Sequence, residues 1–135
     1  MAVDRQTSRR LWPSSLLRAV LAISLVAICF LAFTPLQIAA VSSLNDKLSH
    51  TLAFLYLALL CDFSWPEADW NFTKALSLLG YGLFIEAVQA FLPHRFFSLL
   101  DLAADGLGLI IYSLMLPGLM RFSWIKGLRQ KTAKA

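Results

Sequence analysis

Four long apolar runs constrain this chain more than any other feature. They are LLRAVLAISLVAICFLAF (16–33), LSHTLAFLYLALLCDF (48–63), ALSLLGYGLFIEAVQAFL (75–92) and LLDLAADGLGLIIYSLMLPGLM (99–120). Leucine and alanine dominate them, and none alternates with period two, so they read as helices rather than strands. Thr34-Pro35 closes the first and Pro93 the third. A helix that crosses a bilayer needs about 20 mainly apolar residues. The second run is a little short, but the SSLND before it can extend the helix, with Ser43 or Asn45 as N-cap. Soluble domains are about 45–50% apolar and about 25% charged. This chain is 59% hydrophobic and 15% charged, on the membrane side of both figures. The expected fold is an all-α membrane protein, a four-transmembrane-helix bundle. Residues 1–15 form a basic leader, 16–120 the transmembrane domain and 121–135 a basic tail.

The leader, the first apolar run and the QIAA after it loosely fit a cleaved signal peptide. The length of the leader and the near continuation of apolar sequence to Val41 favour a retained helix. Lysine and arginine then set the orientation. Arg5, Arg9, Arg10, Arg18, Lys74, Arg121, Lys126, Arg129, Lys131 and Lys134 fall on one side, against Lys47 and Arg95 on the other. The positive-inside rule places both termini in the cytoplasm. Trp12, Trp65, Trp70 and Trp124 fall near the cytoplasmic ends, as an interfacial aromatic belt would. Basic ends of this kind need no nucleic acid to explain them, and the chain has no nucleic-acid motif and no Gly-rich phosphate loop. Cys29 and Cys61 lie inside separate apolar runs and read as small packing residues, not as a disulfide or a metal pair.

Against this apolar background the acids are concentrated. Glu86 lies seven residues before Pro93, and Asp105 seven after Ser98, so both should sit about 10 Å below the outer turn. Asp101 and Gln89 lie shallower. Asp46, Lys47 and His50 open the second helix from the same side. Three helices therefore bring polar residues to one layer in the outer leaflet. Glu86 and Gln89 share a face at i, i+3. Ser98, Asp101 and Asp105 form one stripe, and Asp46 and His50 stand at i, i+4. Gly82 and Gly108 extend the stripes and permit close helix approach. A carboxylate facing lipid costs about 2.5–3.5 kcal/mol even on lenient insertion scales, so these groups should pair, take up a proton or line water. Arg95, with its planar fork, is the expected carboxylate partner. Ser98 is expected to cap the fourth helix, with Asp101 completing a capping box. Tyr81 and Tyr112 are expected to pack. Carboxylates and a histidine can hold a divalent cation. No HExxH or CxxC spacing is present, however, so neither a metal nor another cofactor is expected.

NDKLSHTLAFLYLALL followed by EAVQAFLPHRFFSLLDLAADGLG resembles the VanZ-like family of small bacterial membrane proteins. The family pattern has Asp-Lys-x-x-His opening one helix, Glu-x-x-Gln ending another, and Pro-x-Arg-x-x-Ser-x-x-Asp leading into the last. The matching residues are Asp46, Lys47 and His50; Glu86 and Gln89; and Pro93, Arg95, Ser98 and Asp101. The motif-bearing part spans 45–108. Members commonly carry asparagine where this chain has Asp105. The resemblance implies a multi-pass protein of the bacterial inner (plasma) membrane, acting in the cell envelope and linked to resistance to the glycopeptide teicoplanin.

Three functions fit the charge layer. As an enzyme acting on a lipid or lipid-linked envelope precursor, the chain would use Glu86 or Asp101 as general acid/base and His50 as proton shuttle. Arg95 would bind phosphate, and Asp46, Lys47, Gln89, Ser98 and Asp105 would complete the binding site. As a binding or transport module, the same charges would hold an anionic headgroup. As a structural lock, they would only fix helix register. A homodimer through the outer helix faces is compatible with all three.

Overall fold

The computed structural model describes residues 13–34, 43–93 and 95–133, without the side chains of 43, 44 and 130–133. Every regular element among them is helical. The helices are α1 (Ser14–Phe33), α2 (Ser43–Ser64), α3 (Phe72–Gln89), α4 (Leu99–Leu119) and α5 (Ser123–Ala133). Two of them, α1 and α4, are long and apolar enough to cross a membrane, with mean hydropathies of 2.6 and 1.7.

The ends of the helices follow local chemistry. Residues before proline avoid the helical region, and α1 stops at Phe33 with Thr34 in an extended conformation. The Thr34 hydroxyl donates back to the Phe30 carbonyl at 2.6 Å. The side chain of Asn71 caps α3 by accepting from the Lys74 backbone N–H at 3.1 Å. Ser98 caps α4 through its Oγ, which accepts from the Asp101 N–H at 3.2 Å.

Three boundaries differ from the sequence reading. The α2 helix begins at Ser43, so Asn45 lies within it rather than capping it. The α3 helix ends at Gln89, three residues early, because the chain already turns toward Pro93 with hydrogen bonds from Phe91 to Val88 and from Leu92 to Gln89. The tail after 121 is not featureless but carries α5. Trp12, His94, Arg5, Arg9, Arg10 and Lys134 lie outside the described residues.

The α2 helix is central. It contacts α1, α3 and α4, most extensively α4. Its Phe54, Leu57 and Ala58 are buried among Leu21 of α1, Leu78 of α3, and Leu109 and Tyr112 of α4. Gly108 makes the α2–α4 approach possible. A Cβ there would collide with the Thr51 carbonyl and the Leu55 backbone nitrogen. The α1 helix buries Leu21 against this core and adds polar contacts along its length. Tyr81 of α3 donates to the Leu25 carbonyl at 2.6 Å, and Ser24 meets the Tyr56 hydroxyl at 3.1 Å.

The outward faces are strongly apolar. Ile23, Val26 and Phe30 of α1, Phe72 of α3, and Leu99 and Leu114 of α4 each keep two thirds or more of their surface exposed. Both cysteines are free.

Candidate functional site

The predicted polar layer forms, with partners that differ in part from those expected. Asp105, 1% exposed, lies on the buried stripe of α4, and its Oδ1 stands 2.8 Å from His50 Nδ1 on α2. Beside this pair the Thr51 hydroxyl donates to the Ala104 carbonyl at 3.1 Å, fixing the register of α2 against α4. Gly82 of α3 leaves the space that Asp105 needs, since a Cβ there would come within 2.5 Å of Oδ2.

Glu86 is completely buried. Its Oε2 accepts the Ser98 backbone N–H at 2.8 Å, and its Oε1 has no hydrogen-bond partner. This contact takes apart the expected capping box. In such a box the third residue of the helix reaches back to the cap N–H. Here Glu86 of α3 already holds that N–H, so the Asp101 carboxylate is released from its own helix. Asp101 Oδ1 lies 3.6 Å from Lys47 Nζ, an ion pair too long for a hydrogen bond. That oxygen is sealed from solvent and has no hydrogen-bond partner.

Arg95 departs from expectation. It pairs with no described carboxylate. Its side chain lines a cleft of about 210 Å³ together with Asp46, His50 and Gln89. The Ser98 backbone N–H, three residues on, occupies one Glu86 oxygen, and Arg95 lines the cleft instead. Gln89 turns toward α1 and donates to the Ala32 carbonyl at 3.1 Å. The other wall of the cleft is apolar, built from Ile28, Leu31, Ala53, Phe54 and Ile85. The cleft thus has a polar end and an oily flank.

The carboxylates of Asp46 and Asp101 and the His50 ring bring one ligand atom each to within 4.8 Å of one another. Motif spacing missed this grouping because Asp101 comes from a different helix.

A second buried charge cluster was not anticipated. Asp62, on the same helix as His50 and 12 residues further on, is fully buried. Its Oδ1 receives Lys74 Nζ and Arg129 Nη2, each at 3.1 Å, and its Oδ2 receives the Tyr112 hydroxyl at 2.7 Å. Lys74 also donates to the Trp65 and Ala68 carbonyls, at 3.0 and 2.6 Å. Tyr112, expected only to pack, is the donor that completes Asp62. The signal available in the sequence is an aspartate at the end of an apolar run and a lysine 12 positions on; Arg129, 67 positions on, carries no such local cue.

The fold and site together define an all-helical protein with a cleft-lining histidine backed by a buried aspartate at one end and a saturated aspartate at the other. No family model, curated protein or solved structure matches this chain.

Proposed function

We propose that this chain is a VanZ-like, four-helix integral membrane protein with both termini in the cytoplasm, multi-pass in the bacterial inner membrane. Its cleft binds or modifies the headgroup of a lipid or lipid-linked envelope precursor. The observation that carries this reading is the composition of the cleft. Arg95 and His50 stand at its polar end, and Ile28, Leu31 and Ile85 form a flank suited to an acyl chain. A guanidinium with no described carboxylate partner is a ready receptor for phosphate, which it can hold through two hydrogen bonds.

The membrane setting is supported by α1 and α4 and by the leucine, isoleucine and phenylalanine side chains turned outward on α1, α3 and α4. A water-soluble monomer rarely exposes large contiguous apolar surfaces. In the enzymatic form of the reading, His50 is the proton-transfer group on the cleft wall, and Asp105 fixes its ring. Glu86 holds the α4 N-terminus in place through Ser98. A purely structural lock fits less well, because a lock needs Arg95 paired. The link to glycopeptide resistance rests on the family resemblance alone.

The test is the lipid that accompanies the protein. Wild type purified in mild detergent should retain an anionic phospholipid or lipid-linked phosphate by mass spectrometry. Arg95→Ala should lose it at equal protein yield, and Arg95→Lys should retain an intermediate amount. The same lipids at the same amounts on all three proteins would refute the reading. A change of envelope lipids in cells making wild type but not His50→Gln would assign an enzyme.

A further inference from the structure

We infer that Asp46, His50 and Asp101 form a divalent transition-metal site, of the class that takes Zn²⁺ or Mn²⁺, at the polar end of the cleft. The inference goes beyond the headgroup reading and does not depend on it.

Geometry comes first. Two carboxylates and an imidazole, drawn from two helices, already lie within 4.8 Å of one another. A cation with bonds of about 2.0–2.2 Å draws its ligands to about 3.4 Å apart. Asp46 and Asp101 are only partly buried and can make that adjustment by side-chain rotation. Asp46 and His50 stand one helical turn apart on α2, so they present a common face. Asp101 enters from the first turn of α4.

The surroundings of the histidine point the same way. Asp105 takes Nδ1 at 2.8 Å and leaves Nε2 as the ligand atom. A metal-bound imidazole almost always has its second nitrogen held by a carboxylate, carbonyl or water, which fixes the tautomer and makes the ring a better donor. Asp105, 1% exposed and behind the cleft wall, fills that place.

An independent observation is the unfilled acceptor capacity of the layer. Glu86 is fully buried yet leaves Oε1 without a hydrogen bond, within electrostatic reach of Asp101 and His50. Asp101 Oδ1 is likewise sealed and unbonded, because Glu86 took the N–H that a capping aspartate would have used. Buried acceptors of this kind are rare in native proteins and call for an ion, a water or a proton. Charge agrees. Asp46, Glu86, Asp101 and Asp105 oppose Lys47 and Arg95, a formal excess of two negative charges that one divalent cation cancels. Three protein ligands leave coordination positions open to water or to a phosphate oxygen, as in catalytic rather than structural sites.

The experiment uses the full chain in detergent, stripped with chelator and titrated with Zn²⁺ and separately with Mn²⁺ by equilibrium dialysis. One ion should bind per chain. X-ray absorption of the wild-type Zn²⁺ form should show a single imidazole among oxygen ligands, a readout that needs no variant to fold. His50→Ala should abolish the binding. Asp105→Asn should weaken it by about 10–100-fold, the usual effect of losing the group that orients a ligand. Lys47→Ala should tighten it, since the ammonium and the cation compete for Asp101. Absence of a stoichiometric ion, a spectrum without imidazole, or affinity unchanged in both His50→Ala and Asp105→Asn would overturn the site. All titrations are run without added lipid. Zn²⁺ binding in a chain that retains no lipid keeps this site and removes the headgroup reading, and the converse result removes only the metal.

Discussion

At one end of the bundle Asp62 receives three donors on its two carboxylate oxygens, from Lys74, Arg129 and Tyr112. At the other end Glu86, just as deeply buried, receives one backbone N–H and leaves Oε1 bare. Both acids sit in the same apolar scaffold, so burial alone does not distinguish them. What differs is completion. A buried charge that is fully paired fixes geometry and has nothing left to bind. A layer with spare acceptors, a partner-poor arginine and a cleft beside it still has capacity for something else. The Asp62 end therefore reads as the clamp of the fold and the Glu86 end as its working site.

The sharpest way to break this comparison is Asp62→Ala. It strands Lys74 and Arg129, and removing one partner of a buried ion pair costs about 3–5 kcal/mol. Thermal unfolding in detergent should show the protein barely folded, and an unchanged midpoint would mean that the cluster is not a clamp. Next comes Gly108→Ala, whose methyl meets the α2 backbone rather than a flexible side chain. Overpacking of this kind costs about 1–3 kcal/mol. The same unfolding measurement should place this variant between wild type and Asp62→Ala.

Glu86→Gln should act in the opposite sense to Asp62→Ala. The amide oxygen can still accept the Ser98 N–H, so stability should stay within about 1 kcal/mol of wild type. Retained lipid or the wild-type envelope-lipid profile should nevertheless change. A large loss of stability with normal lipid would reverse the roles of the two ends. The smallest effect belongs to Asp69→Asn. Asp69 also pairs with Arg129, at 3.3 Å, but is 96% exposed. Exposed ion pairs contribute little. Its melting curve should overlay that of wild type, showing that Arg129 matters through Asp62.

How much of this could be read in advance depends on what sets each feature. The four long helices were legible because hydropathy and the two prolines mark them directly. The polar layer was legible because Pro93 and Ser98 fix the depths of Glu86 and Asp105, and depth decides who can meet. The identity of the partners was less accessible. The Glu86–Ser98 contact uses a backbone N–H, which carries no residue-type signal, and it displaced the capping box. Helix α5 was missed because 11 residues, six of them polar or basic, are too few to hold a helix in isolation. It depends on Arg129 reaching Asp62, which is 67 positions away. The metal grouping was missed because motif spacing counts along one chain segment, whereas Asp101 joins Asp46 and His50 only after α4 folds back along α2.

Gly108 has one further effect. By letting α4 lie directly on the backbone of α2, it joins the two helices into a single girder. That girder carries His50 and Asp105 at one end and Asp62 and Tyr112 at the other, about 18 Å apart along α2. His50 and Asp46 ride on α2 and Asp101 on α4, so the mutual geometry of the three is set by this one packing contact.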